Sequence, residues 1–117
     1  MSADESRKRA ADAVLEALRA TPTASTEAWA ERFRRQMAVV NGAEQVNATG
    51  ERELRVGPEV ARVARELHEG MTSQTLSFGE RRLYHALKSA IVSELAAGFH
   101  VSQDEATRLY EVAAAGS

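Results

Sequence analysis

The chain has 117 residues, of which 44% are hydrophobic and 27% charged, and it contains no cysteine. This length predicts a single domain over residues 1–117, and the absence of cysteine excludes disulfides and thiolate metal sites. The formal net charge is −2, with acids and bases mixed along the chain, so the overall field favours neither nucleic acid nor anionic lipid. The chain has neither a signal-peptide pattern nor an apolar stretch of membrane-spanning length. A cytoplasmic protein with no membrane partner is therefore expected.

The first predicted helix spans residues 3–20. Ser2 and Glu5 have the spacing of a capping box, in which a hydroxyl and a carboxylate satisfy backbone N–H groups at the helix start. Apolar residues recur at the period of one helix face, and Thr21-Pro22-Thr23 ends the helix. The face residues are Ala11, Val14, Leu15 and Leu18.

The second predicted helix spans residues 26–40. Ser25 or Thr26 can cap its start. Asn41-Gly42 is expected to end it, because glycine readily adopts the left-handed conformation of a helix stop. The apolar row of this helix is Trp29, Phe33, Met37 and Val40.

Residues 43–57 carry the weakest helical pattern in the chain. Apolar and polar residues alternate on both sides of Thr49-Gly50. This alternation is typical of a short β-hairpin, whereas the polar composition fits an irregular loop. We favour the loop and keep the hairpin as the alternative.

The third predicted helix runs from Pro58 to Gly70. Proline suits the first helical position, where its missing N–H removes no hydrogen bond, and Gly70 is the expected stop. The apolar face of this helix is Val60, Val63, Ala64 and Leu67.

The fourth predicted helix has the strongest pattern. Ser77 and Glu80 form a second capping box, and Gly98 is the expected end. Apolar residues occur at every fourth position, and others widen the stripe, so this helix is expected to lie centrally. The stripe is Leu83, Leu87, Ile91, Leu95 and Phe99, widened by Tyr84, Ala90, Val92 and Ala96.

The fifth predicted helix begins at a third capping box, formed by Ser102 and Glu105, and frays beyond residue 114. Together these elements predict an all-α fold, an antiparallel bundle of four to five helices joined by short connections. Residues 43–57 and 71–76 are the segments expected to be mobile.

No catalytic, cofactor-binding or metal site is predicted. The three histidines, His68, His85 and His100, lack the spacing of metal ligands. The chain has no cysteine or G-x-S-x-G nucleophile and no glycine-rich phosphate loop.

Most carboxylates have a basic residue three or four positions away, which is typical of solvated helix faces. The predicted pairs are Glu31 with Arg34 or Arg35, Arg62 with Glu66, and Arg65 with Glu69.

Residues 95–102, followed by the fifth helix, resemble a helix-turn-helix in having small residues, a turn glycine, an apolar residue and a serine cap. The resemblance implies DNA binding through the fifth helix. Against it, Glu94 occupies a position that is usually small, and acids outnumber bases on the exposed side of that helix. An αα-hairpin without a DNA role is the alternative. The candidate nucleic-acid contacts are Arg81, Arg82 and Arg108.

Three hypotheses on function follow. The leading one is a non-enzymatic helical protein–protein interaction module, a small adaptor, chaperone or regulator that self-associates, because the apolar faces are broad. The alternatives are a DNA-binding regulator that uses the fourth and fifth helices, and a small enzyme or ligand carrier with an interhelical pocket near Tyr84, His85 or Tyr110. The predicted partner surface comprises Trp29, Phe33, Met37, Tyr84, Val92 and Ala96.

Overall fold

The computed structural model describes residues 2–22 and 27–116, and within them it contains five helices and one two-stranded hairpin. Of the described residues 74% are helical, so the predicted all-α bundle is confirmed. The helices are α1 (Ala3–Arg19), α2 (Trp29–Ala43), α3 (Pro58–Ser73), α4 (Phe78–Phe99) and α5 (Gln103–Ala114). The strands, β1 (Glu44–Val46) and β2 (Arg52–Leu54), connect α2 to α3.

The core forms where α4 packs against α1, α3 and α5, and α1 also packs against α3 and α5. This arrangement confirms the central position expected for α4 from its broad apolar stripe. Leu87, Ile91 and Leu95 at the centre of that stripe are at most 1% exposed. Tyr110 of α5 is the largest fully buried side chain. In contrast, α2 packs mainly on α3 and lies at the side of the bundle.

Serine caps begin three of the helices, as predicted. The side chains of Ser2, Ser77 and Ser102 each accept a hydrogen bond from the backbone N–H three residues later. At Ser77 the box is reciprocal, because Glu80 also accepts from the Ser77 backbone N–H. The predicted caps of α2, Ser25 and Thr26, lie outside the described residues.

Three predicted helix ends are wrong, because each helix passes through the glycine expected to stop it. Gly42 lies inside α2, Gly70 inside α3 and Gly98 inside α4. At Gly98 the missing side chain allows close approach of α1, and at Gly70 it leaves room for Leu76. The left-handed residues that follow α3 and α4 are instead Gln74 and His100, with φ of 57° and 56°.

The hairpin shows that the preferred loop interpretation of residues 43–57 is wrong. Strands β1 and β2 pair antiparallel, with Gln45 opposite Glu53. The Asn47 side chain organises the turn by accepting hydrogen bonds from the backbone N–H groups of Thr49 and Glu51. Gly50 has a φ of 84°, which only glycine adopts without strain.

Within residues 2–22 and 27–116, none of the helices combines the length and the apolar character needed to cross a membrane.

Candidate interaction surface

A buried ion pair joins α2 to the start of α4. Arg32 donates from Nε to Glu80 Oε2 and from Nη2 to Glu80 Oε1, both at 2.8 Å, and the Glu80 side chain is fully buried. Ser77 also donates to Glu80 through its backbone N–H and its hydroxyl. Burial alone would raise the pKa of Glu80, but the hydrogen bonds from Arg32 and Ser77 outweigh it and hold that pKa below its usual range. Glu80 is therefore charged at neutral pH.

A second set of polar contacts joins α2 to α3. Arg35 donates from Nη2 to Glu66 Oε1 at 2.8 Å, and Gln36 donates from Nε2 to the same oxygen at 2.7 Å. We group these contacts and the Arg32–Glu80 pair, all made by α2, as the polar clasp (Arg32, Arg35, Gln36, Glu66 and Glu80). The clasp attaches α2 to both α3 and α4.

Exposed aromatic and basic side chains lie on α2 and at the start of α4, two elements that adjoin at Phe33 and Gly79. The Phe33 ring packs on Gly79, where an added Cβ would lie 3.3 Å from the ring. Trp29 is one helical turn before Phe33 and is 59% exposed. Phe78 is 70% exposed, and the guanidinium carbon of Arg82 lies 5.8 Å from its ring centroid.

Arg81 and Arg82 follow Phe78 by three and four positions, so they share its side of α4. Both arginines are exposed. In the described part of the chain neither forms an ion pair. We call this surface the aromatic edge (Trp29, Phe33, Phe78, Arg81 and Arg82). It combines two exposed aromatic rings with two uncompensated cations.

The remaining residues of the predicted partner surface do not extend this edge. Tyr84 and Val92 are only 4% and 6% exposed, so they belong to the core and drop out of the predicted surface. Ala96 is half-buried and packs against that core. Met37 is half-buried on α2. The breadth of the α4 stripe reflects contacts with three helices, because α4 is central, and leaves little surplus apolar surface there.

Arg108 lies on α5, on a different element from the other two candidate nucleic-acid contacts. Its guanidinium donates to Glu105 at 3.0 Å. Asp104 and Glu111 are also exposed on this helix. The outer side of α5 is therefore mostly acidic, and the cation it offers is already paired.

Tyr84 and Tyr110, predicted to lie near a pocket, form part of a buried hydrogen-bond chain. The Tyr110 hydroxyl donates to the Tyr84 hydroxyl at 3.3 Å, and the Tyr84 oxygen lies 2.9 Å from Nδ1 of His68. Burial raises the pKa of both tyrosines and lowers the pKa of His68. The tyrosines therefore stay protonated at neutral pH, and the chain satisfies polar atoms within the core. His85 is exposed, with its ring centroid 5.8 Å from that of Tyr84.

Among the described residues no group of three or more histidine, aspartate or glutamate side chains is arranged to hold a metal ion. His100 is exposed and lies 3.8 Å from Asp4.

The predicted helix pairs are formed in one case. Arg65 pairs with Glu69 at 2.9 Å. In contrast, Glu66 is occupied by Arg35 and Gln36 of α2 rather than by Arg62. Arg35 also pairs with Glu27 rather than with Glu31. For Glu66 a contact between distant helices thus replaces the local pair expected from spacing, and Arg35 takes a partner eight positions away.

The chain is similar to a known protein family over part of its length. The family model for the C-terminal domain of CarD matches residues 56–111, which comprise almost all of α3, α4 and α5 and the connections between them. The match covers a little under half of the chain and leaves out α1 and α2. No curated protein and no solved structure shows significant similarity to the chain. The similarity supports a CarD-like interaction module, of a kind associated with transcription regulators, over α3–α5.

Proposed function

We propose that this protein is a DNA-contacting interaction module of the transcription machinery, and that the aromatic edge is its contact surface. The similarity of residues 56–111 to the CarD C-terminal domain supports the transcription context. The observation that carries the choice of surface is the exposed Phe78 ring with the unpaired Arg82 over it, together with the exposed Trp29 on the adjoining helix α2.

The chemistry of the edge suits a duplex. Arg81 and Arg82 can each neutralise a backbone phosphate. Trp29 and Phe78 offer flat apolar faces that can pack against sugars or insert at a base step of the minor groove. The arginines would position the protein on the DNA backbone. The rings would supply contacts whose energy depends on how easily a DNA base step opens.

The fifth helix is a weaker candidate for this contact than the helix-turn-helix resemblance implied. Its exposed Asp104 would repel phosphate, Glu111 is already paired with Lys88 at 3.6 Å, and Glu105 neutralises Arg108. At the start of α4, by contrast, Arg81 and Arg82 form no ion pair within the described residues. We therefore propose that DNA contacts the start of α4 rather than α5.

A protein partner, including a second copy of the chain, is the second candidate. Exposed tryptophan and phenylalanine with an arginine rim are favoured at the centres of protein interfaces. The net charge of −2 is also unusual for a DNA-binding domain. Under this alternative the aromatic edge would contact a protein, and the affinity for that protein would depend little on salt concentration.

The test is a fluorescence-anisotropy titration of a short labelled DNA duplex at several salt concentrations. With phosphate contacts from Arg81 and Arg82, a plot of log affinity against log salt should have a slope of about −2. Arg82→Ala should reduce that slope by about 0.9. Arg108→Ala is the matched control, an exposed arginine on α5, and should leave both slope and affinity unchanged.

The aromatic contribution is tested in the same assay. Trp29→Ala should weaken binding about tenfold, since stacking or wedging contacts contribute about 1–3 kcal/mol each. Val112→Ala, which removes a half-exposed apolar side chain from α5, is the control. Absence of binding at low salt would end the DNA proposal and leave the protein partner. A loss of affinity with Arg108→Ala but not with Arg82→Ala would restore the α5 interpretation.

A further inference from the structure

Helix α2 is joined to the bundle by unusually little apolar packing. In α2 only Val40 and the polar Gln36 are buried. Each of the other four helices buries at least four apolar side chains. Of the four residues in the apolar row predicted for α2, only Val40 belongs to the core, and Trp29 is largely exposed.

Open clefts flank α2 on two sides. One of about 280 Å³ lies against the C-terminal half of α3 and is lined by Arg32, Gln36 and Glu66 among others. Another of about 580 Å³ separates α2 from α1 and the base of the hairpin, with Val39 and Ala13 on opposite walls. Loose packing on both sides is typical of an element that opens locally at low free-energy cost.

The polar clasp adds direct side-chain hydrogen bonds from α2 to α3 and α4. The Arg32–Glu80 pair has two 2.8 Å bonds to a fully buried carboxylate, which is a geometry that few surface pairs have. One feature of the clasp works against docking, since the Oε1 atom of the buried Gln36 has no hydrogen-bond partner in the described part of the chain. The docked position of α2 is thus specified more by the ion pair and hydrogen bonds of the clasp than by burial of apolar side chains.

We propose that α2 is a separately docking arm and that Arg32 is its positioning residue, which through Glu80 aligns Trp29 with Phe78 and Arg82. The part of this proposal that concerns alignment for DNA rests on the proposed function. The part that concerns independent docking does not. When the clasp is closed, the aromatic edge is complete. When it opens, Trp29 leaves the edge while the α1, α3, α4 and α5 bundle stays folded.

The test uses the full-length chain with the pair replaced by neutral residues, Arg32→Met together with Glu80→Gln. Replacing both partners avoids a buried unpaired charge, so the bundle should remain folded. The matched control is Arg108→Met with Glu105→Gln, which removes an exposed ion pair from α5. Hydrogen exchange read by mass spectrometry compares α2 with the other helices.

In the clasp variant, amides of α2 should exchange at least about tenfold faster, while amides at the centre of α4 change little. Trp29 is the only tryptophan, so its fluorescence anisotropy reports directly on α2 and should fall. The control pair should change neither quantity. Unchanged exchange in α2, or equally faster exchange in every helix, would overturn the idea of a separate arm.

The positioning role is tested by coupling to Trp29 in the DNA titration. The clasp variant should bind DNA about tenfold more weakly with an unchanged salt slope, because Arg81 and Arg82 are retained. Trp29→Ala should then cause little further loss in the clasp variant, although it weakens the parent protein. Fully additive losses would show that Arg32 does not act through Trp29 and would overturn the positioning role. If no variant or parent binds DNA but α2 exchange still rises, the arm stands and the proposed function fails.

Discussion

Gly98→Ala tests whether the helix contact at the heart of the bundle is as close as the structure indicates. Alanine has a better helix propensity than glycine by about 0.5–1 kcal/mol, and Gly98 lies inside α4 with ordinary helical φ. On helix propensity alone, the substitution should therefore stabilise the protein. The structure leads to the opposite expectation.

An added Cβ at Gly98 would lie 2.6 Å from the Cβ of Ala11 and 3.1 Å from the carbonyl oxygen of Arg7. The first distance is far inside the optimal carbon–carbon contact of about 3.5–4.0 Å, and the second is shorter than most contacts that a Cβ makes. Neither neighbour can rotate away, because one is backbone and the other is attached directly to it. Helix α1 must shift, at a cost of about 1–3 kcal/mol for overpacking.

After subtracting the gain in helix propensity, Gly98→Ala should lower the free energy of unfolding by about 1 kcal/mol, and by roughly 2.5 kcal/mol at most. For a domain of this size the melting temperature should fall by about 5 °C or more. The change is measured by thermal unfolding followed by far-UV circular dichroism, which reports on helical content.

Gly42→Ala is the matched control for this prediction. Gly42 is also helical, but an added Cβ there meets nothing within 4 Å. It should raise the free energy of unfolding by about 0.5–1 kcal/mol. In a double-mutant cycle, Ala11→Gly should recover part of the loss caused by Gly98→Ala. A Gly98→Ala variant that melts at or above the parent temperature would refute the close approach of α1 and α4.

Three further predictions concern buried polar groups. Arg65→Met should raise the free energy of unfolding, measured by denaturant titration, by about 1 kcal/mol, because it removes two buried nitrogens that lack hydrogen-bond partners in the described chain. The control, Arg62→Met on the exposed side of α3, should change this free energy little. The pKa of Glu80 is lowered by folding, so its stabilising contribution is present above the ordinary carboxyl pKa and is lost on acidification through the lower folded pKa. The neutral Arg32→Met, Glu80→Gln variant lacks this contribution, so its free energy of unfolding should fall less on acidification than that of the parent protein. The pKa of His68 is also lowered by folding, so stability should decline as pH falls below the ordinary histidine pKa of 6.5, and His68→Gln should flatten that slope.

The features that sequence predicts well are those determined locally. The capping serines and the apolar period of α4 lie within a few residues of what they control, so they predict helix starts and the central helix. The glycine at position 98 misleads for the opposite reason. Its role depends on Ala11, which is distant in sequence, and a glycine that permits close packing looks the same as one that stops a helix.

The candidate surface was only half predictable for a similar reason. Trp29, Phe33 and the α4 arginines were each singled out, but on separate hypotheses, because nothing local places α2 beside the start of α4. That placement depends on Arg32 and Glu80, which are 48 positions apart. Phe78 escaped notice because it lies inside a capping box, where the pattern draws attention to Ser77 and Glu80. An aromatic residue at the first helical position, followed by two arginines, was the available signal.

The most direct test of the proposed function is to map where DNA touches the protein. Amide chemical shifts in a heteronuclear NMR spectrum can be followed during titration with a short duplex at low salt. Binding through the aromatic edge should concentrate the largest shifts in residues 29–34 and 78–82, and added salt should reverse them. Shifts concentrated in residues 103–111, or no shifts at all, would contradict the assignment of this edge as a DNA-contacting surface.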